Sequence, residues 1–406
     1  MERRVVITGL GIWSCLGTNL DEVRQSLYSG KSGIIFSQAR KDAGFRSALC
    51  ADVPKADLKK YLSRDLRKLM PEEAQYGYLA TIQALEHAKL DQDFLDQNEV
   101  GVIYGNDSVA EATMQALDKF RQAGSTAACG SGAIFQSMNS TVTMNLATLL
   151  HLRGINLTAS AACASGSHSV GLGYLLIKDG LQDCIICGGA QEANMFSVAS
   201  FDGLMAFSIR EDEPTKASRP FDRDRDGLVP GGGAATLVLE SYEHAVKRGA
   251  PILAEIVGWG FSGNGDHIST PNVAGPTRSL ELCLKNGGIN PRDIGYINAH
   301  ATSTHAGDGR EALAIANIFG DYRVPVTSTK SQTGHEMWMA GASELIYSIL
   351  MMKNDFIGGS LNFENPDEDT ACINVIPETR EAHFDMFLSN SFGFGGTNSS
   401  LIIKNL

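Results

Sequence analysis

INLTASAACASGSHSVGLGYLLI, residues 155–177, decides how the rest of the chain is read. Ile155 and Leu157 alternate with polar residues, as the end of a strand does. Small residues, Ala159 to Ala162, lead to Cys163. Val170, Leu172, Tyr174, Leu175 and Leu176 then follow a helical spacing, with Gly171 and Gly173 tolerated where a neighbour packs close. The stretch is predicted as strand, tight turn and helix, with Cys163 between strand and helix N-terminus. Backbone N–H groups and the helix dipole there favour a thiolate, and the small neighbours leave the sulfur accessible. A lone cysteine in such a turn is more often structural. The remainder of the chain chooses between the two.

Its 406 residues suffice for two domains or one large double domain. A hydrophobic content of 43% with 20% charged residues belongs to a soluble globular protein. No run of uncharged apolar residues is long enough to span a membrane. The N-terminus enters a strand pattern at once, so no signal peptide is read. Eight scattered cysteines suit a reducing cytoplasm. Cys184 and Cys187 form a C-x-x-C, but DCIICGG is a strand pattern without a matching second pair, so both are read as core rather than metal ligands. A net charge of −12 argues against nucleic acid as a partner.

Outward from Cys163, Arg4–Thr8 is a strand followed by Gly9-Leu10-Gly11. It resembles the start of a dinucleotide fingerprint but lacks the third glycine and the distal acid. Residues 30–60 read as an irregular surface segment and 59–69 as basic. Glu72 opens a helix, Val100–Tyr104 is a buried strand, 110–122 and 138–152 are helices, and 183–188 is another strand. In SRPFDRDRDGLVPGGGAATLVLE, residues 218–240, the density of Arg and Asp predicts an internally salt-bridged loop before a strand. Past Pro251 the pattern restarts. Ile252–Gly258 parallels Val5–Gly9, Ile294–Asn298 parallels Val100–Tyr104, and Val324–Ser328 with the helix through Leu345 parallels the Cys163 unit. An internal duplication is expected, with halves 1–250 and 251–406, and an α/β fold with largely parallel sheets. His300 and His335, like Cys163, follow predicted strands, where sites form in α/β folds. Lys330 lies five residues before His335.

VVITGLGIWSCLG, SAACASG, SRPFDRDRDGLV, HATST, KSQTGH and NSFGFGGTN together resemble the β-ketoacyl-acyl-carrier-protein synthases, over essentially the whole chain. The resemblance implies a thiolase-like fold, with duplicated halves in a five-layered αβαβα arrangement. It also implies a decarboxylative condensation in fatty acid elongation. Cys163 would hold the acyl chain. His300 and His335 would donate to the oxygen on which negative charge develops, and Lys330 would order the site electrostatically. The backbone N–H groups of Cys163 and Phe394 would form a second oxyanion hole, with Phe394 as gate. Thr302 and Thr304 would bind the pantetheine arm, and Phe392 and Gly393 would contact substrate. No cofactor or metal is implied. The implied partners are acyl carrier protein and a second copy in a homodimer, with neither nucleic acid nor membrane. Arg64, Arg67, Lys68, Lys119 and Arg121 are the basic candidates for docking the acidic carrier.

Three features depart from the family pattern. Ala301 replaces a glycine, His305 a proline, and Glu336-Met337-Trp338-Met339 a run of small residues. A helix from Gly334 would place His335 and Trp338 on one face. A thiolase would carry a second catalytic cysteine, a starter-condensing synthase an asparagine for His335, and a non-catalytic chain-length subunit no nucleophile. A condensing enzyme of a specialised polyketide or pigment pathway stays open.

Overall fold

Five strands of the first half are ordered β3-β2-β4-β5-β1: β1 (Val5–Trp13), β2 (Val100–Gly105), β3 (Asn156–Ala159), β4 (Cys184–Gln191) and β5 (Gly233–Ser241). Five of the second are ordered β6-β10-β9-β7-β8: β6 (Ala254–Gly263), β7 (Tyr296–Asn298), β8 (Pro325–Thr327), β9 (Met386–Gly393) and β10 (Thr397–Lys404). This computed structural model describes residues 3–406. Counted within its own half and outward from the join, each set runs 1-5-4-2-3. β1 and β6 pair antiparallel, with Val5 opposite Ile256, and so connect the sets. Asn374–Val375 adds an edge strand beside β8.

The sheets are mixed rather than largely parallel. β2 is parallel to β3 and β4, and β7 to β8 and β9. The fifth strand of each half runs antiparallel to both its neighbours. Only the parallel pairs need crossover helices. A three-residue turn, Phe394–Gly396, suffices between β9 and β10.

Helices complete five layers. α1 (Glu72–Ala88) covers β1 and β5 from outside, while α3 (Ala274–Gly287) covers β6 and β10, beside α4 (His305–Phe319). Between the sheets lie α2 (Ser165–Lys178) and α5 (Ala340–Lys353), in contact with each other. Every residue of α5 from Ala340 to Met352 is buried, as expected of a helix that is largely apolar all round. The glycines of β1 serve packing and not a nucleotide. A Cβ on Gly11 would overlap the Ala80 carbonyl of α1, and one on Gly260 of β6 would overlap the Ser279 carbonyl of α3.

α2 and α5 meet at their first turns, where a Cβ on Gly166 would stand 2.9 Å from the Trp338 carbonyl oxygen. Each is preceded by a short 3₁₀ turn, Ala162–Ala164 and Met337–Met339, that opens on a left-handed residue, Ala162 (φ 45°) and Met337 (φ 48°). Trp338 therefore occupies in the second half the place of Cys163 in the first. The helix expected from Gly334 begins only at Ala340, so His335 and Trp338 do not share a helical face.

Two smaller expectations change. Residues 30–60 contain a strand pair, Ile34–Phe36 with Leu49–Ala51, whose Ile34 and Leu49 are buried. The helix expected over 138–152 spans Thr141–Leu149. Loop 218–228 is salt-bridged internally as expected, through Arg219 and Asp222 at 2.9 Å, while Arg225 reaches out of it to Asp367 at 2.6 Å. Cys184 and Cys187 fall in separate core clusters on opposite faces of β4, so they cannot chelate one ion. Among the described residues no helix is long and apolar enough to cross a membrane.

Candidate active site

Cys163 follows β3, His300 follows β7, Lys330 and His335 follow β8, and Phe392–Phe394 end β9. The strands so used are the parallel ones, and their carboxyl ends converge. Cys163, His300, His335, Thr302, Thr304, Phe392, Gly393 and Phe394 all line one cavity of about 370 Å³.

Backbone N–H groups of Cys163 and Phe394 both favour the thiolate form of Cys163. Burial pushes the thiol up to about 12, against the pull of Lys330 and of those two N–H groups. The expected resting thiolate is thus a thiol, because desolvation outweighs the favourable dipoles.

The two imidazoles stand edge to face with centroids 5.3 Å apart, and His300 also meets the Phe392 ring at 5.8 Å. Burial, with Lys330 nearby, holds both well below the usual histidine range, so both are neutral at pH 7. The Met337 N–H donates to His335 Nδ1 at 3.3 Å. That nitrogen is an acceptor, so the ring proton sits on Nε2. His335 Nε2 is buried without a partner. A buried donor without an acceptor is costly unless a ligand supplies one.

Lys330 lines no part of the cavity. It is buried behind it, ion-paired with the buried Glu344 of α5. Burial raises the Glu344 carboxyl to about 7, although Lys330 pulls it down. The ammonium acts on Cys163 and the histidines through its field.

Two carboxylates of α4 that the motifs do not reveal hold the loop between them. Glu311 accepts from the amides of His300 (2.9 Å) and Ala301 (2.7 Å) and from Asn390 Nδ2 (3.0 Å). Asp308 accepts from the amides of Thr302 (2.9 Å) and Phe221 (2.8 Å). Their signal in the sequence is the acidic i, i+3 pair in the helix after HATST. The Thr302 and Thr304 hydroxyls lie 3.1 Å apart.

Phe394 is 38% exposed and stacks on Phe201 at 6.0 Å. Gly395 and Gly396 carry φ of 77° and 73°, which only glycine adopts without strain. Gly393 is extended and is required instead by close approach, since a Cβ there would stand 2.9 Å from the Ala161 carbonyl oxygen.

The N-terminal domain description of the β-ketoacyl synthases matches residues 2–245, and the C-terminal one matches residues 253–364. This chain belongs to the β-ketoacyl synthase family. As a β-ketoacyl synthase it is an acyltransferase with the thiolase-like fold. It is 41% identical to 3-oxoacyl-[acyl-carrier-protein] synthase 1 of Haemophilus influenzae, over 99% of each chain. A β-ketoacyl synthase from Burkholderia phymatum superposes with a TM-score of 0.95 at 37% identity, covering 100% of both chains. A type II polyketide ketosynthase solved with its acyl-carrier protein superposes with a TM-score of 0.90 at 28% identity, again over 100% of both.

The five basic candidates form two sets. Arg64 and Arg67 make a single helical turn capped by Lys68, which pairs with Asp65 at 3.3 Å. Lys119 and Arg121 lie on the helix Glu111–Ala123, which has no buried residue, and Arg121 pairs with Asp118 at 3.5 Å. The helix Ala133–Ser137 stands between, packed on 111–123 and bonded from Gln136 Nε2 to the Lys68 carbonyl at 2.7 Å. Trp338 is buried in an apolar cluster with Cys163, Phe207 and Leu228, and its ring meets Phe201 at 6.3 Å. It backs the cavity wall without lining it.

Proposed function

We propose that this chain is a 3-oxoacyl-[acyl-carrier-protein] synthase of fatty acid elongation, with Cys163 as nucleophile and His300 and His335 as donors to the developing enolate oxygen. The observation that carries this reading is the buried, unpartnered His335 Nε2–H beside His300 and Cys163 in one cavity. Cys163 sulfur attacks the acyl thioester, the new oxyanion rests on the N–H groups of Cys163 and Phe394, and the thiol proton leaves on the carrier's thiol. Malonyl carrier then enters. Loss of carbon dioxide leaves the electron pair as an enolate whose oxygen accepts from the two neutral imidazoles. Its carbon attacks the acyl-Cys163 carbonyl, the carbon–sulfur bond breaks, and Cys163 regains a proton from water. Thr302 and Thr304 hold the pantetheine arm, Phe392 and Gly393 line the reacting end, and Phe394 gates it.

The halves divide at 250/251 in this reading, a division supported by the repeated strand order. A cytoplasmic setting is supported by eight free cysteines. Homodimer formation is supported by the edge position of β3, with Leu157 half exposed, and by the exposed Leu117, Phe120 and Phe135. Incubating the protein with acyl- and malonyl-loaded carrier tests the function. Equimolar 3-oxoacyl carrier and carbon dioxide are expected, and release of neither would end the reading.

An acidic carrier docks on Arg64, Arg67 and Lys68, with Lys119 and Arg121 contributing. Charge reversal at Lys68 is expected to raise KM for carrier-bound substrates several-fold at low salt and less at high salt. Unchanged KM across all five reversals would remove the patch. Trp338→Gly is expected to lower stability by about 3–5 kcal/mol. It also frees volume behind Phe201, so longer acyl chains should be accepted while short-chain acylation of Cys163 persists. Lower stability with an unchanged chain-length profile would reduce Trp338 to a core residue.

A further inference from the structure

Arg310 is the one Lys or Arg among the residues lining the active-site cavity. It is exposed, and no ion pair or hydrogen bond engages it among the described residues. Nearby guanidinium groups are spent on structure: Arg219 and Arg225 are buried in ion pairs. The cavity's carboxylate, Glu311, is likewise committed, to two amides and Asn390. Arg310 follows Ala306 by four residues and Gly307 by three, so the three share one face of α4. Small side chains thus lie between the Thr302–Thr304 hydroxyl pair and the guanidinium. Elsewhere on the cavity wall, His267 Nδ1 accepts from the amides of Ser269 (3.1 Å) and Thr270 (3.0 Å). Its proton is therefore on Nε2, a second donor.

A phosphopantetheine arm has matching chemistry. Its thioester end, amides and hydroxyl are uncharged, and its single anion is the phosphodiester where it joins the carrier. The deep cavity offers hydroxyls and neutral imidazoles, and its rim a free guanidinium, the group best suited to paired phosphate oxygens. We propose that Arg310 seats this phosphodiester and so sets how deep the thioester reaches. The proposal rests on the synthase reading and is separate from docking of the protein part of the carrier.

Two carrier-free substrates test it: an acyl-pantetheine thioester and the same thioester of 4′-phosphopantetheine, each assayed for transfer to Cys163 by intact mass. The wild type is expected to use the phosphorylated form about tenfold or more better in kcat/KM. Arg310→Gln should remove most of that preference while the unphosphorylated rate moves less than twofold, and Arg310→Lys should restore part of it. Equal use of both forms by the wild type, or an equal loss on both in Arg310→Gln, would overturn the proposal. Failure to acylate Cys163 from either mimic and from loaded carrier would instead overturn the synthase reading.

Discussion

Cys163→Ala is expected to abolish condensation, a loss on the order of 10⁶-fold if it matches other nucleophile deletions, and to form no acyl-enzyme. The sulfur is the only atom at that place able to carry the chain. Its surroundings favour its thiolate, through the backbone N–H groups of Cys163 and Phe394 and the Lys330 ammonium behind. The change deletes one buried atom, so the fold should survive. The imidazole pair is untouched, so decarboxylation of malonyl carrier should continue without productive condensation. Condensation at more than a per cent of the wild-type rate, measured by product mass, would show that another group carries the acyl chain.

His335→Ala is expected to slow carbon dioxide release by about 10²–10³-fold, the cost of one preorganised donor to a developing oxyanion, ~2.7–4 kcal/mol. Acylation of Cys163 should fall far less. Charge appears on the enolate oxygen only in the second half-reaction, while the acylation oxyanion rests on backbone N–H groups. His300→Ala should behave alike. Since both rings are held well below the usual histidine range by burial, the donors stay neutral where an ordinary histidine would titrate. The imidazoles should therefore add no inflection near pH 6.5 to carbon dioxide release; Glu311 and Glu344, both raised by burial to about 7, are groups that titrate close by. Equal loss of both half-reactions in His335→Ala, followed by rapid-quench mass spectrometry beside a carbon dioxide assay, would contradict the assignment.

How much of this was legible in the sequence depended on range. Cys163 and His300 stand just past strands, His335 past the helical turn that follows one, and each lies within a motif that reads locally. The buried placement of Lys330 did not read, because its partner Glu344 belongs to the next helix and only the folded chain brings them together. Glu311 and Asp308 were missed for a related reason. Their work is to accept backbone N–H groups four to eleven residues earlier and, for Asp308, that of the distant Phe221, and nothing in an amide's own sequence marks its acceptor. The antiparallel fifth strands escaped because strand direction is set by connections, not by the residues within the strand. The equivalence of Trp338 and Cys163 was hidden by side chains that share no chemistry. Only the left-handed residue before each and the glycine three residues after each repeat.

Gly9-Leu10-Gly11 teaches the converse. The glycines were legible and their apparent meaning was not, because close helix approach and a phosphate-binding turn demand the same missing Cβ.

The central claim is that one sulfur holds the acyl chain and a separate imidazole pair drives its extension. The most direct measurement is a two-stage experiment on the wild type. Acyl carrier alone is added first, and the peptide containing Cys163 is weighed. Malonyl carrier is then added while adduct and carbon dioxide are followed together. An acyl adduct on Cys163 alone is expected, stable until the second addition, then lost with one carbon dioxide per adduct. Product formed without a prior Cys163 adduct, or an adduct on any other residue that malonyl carrier discharges, would contradict it.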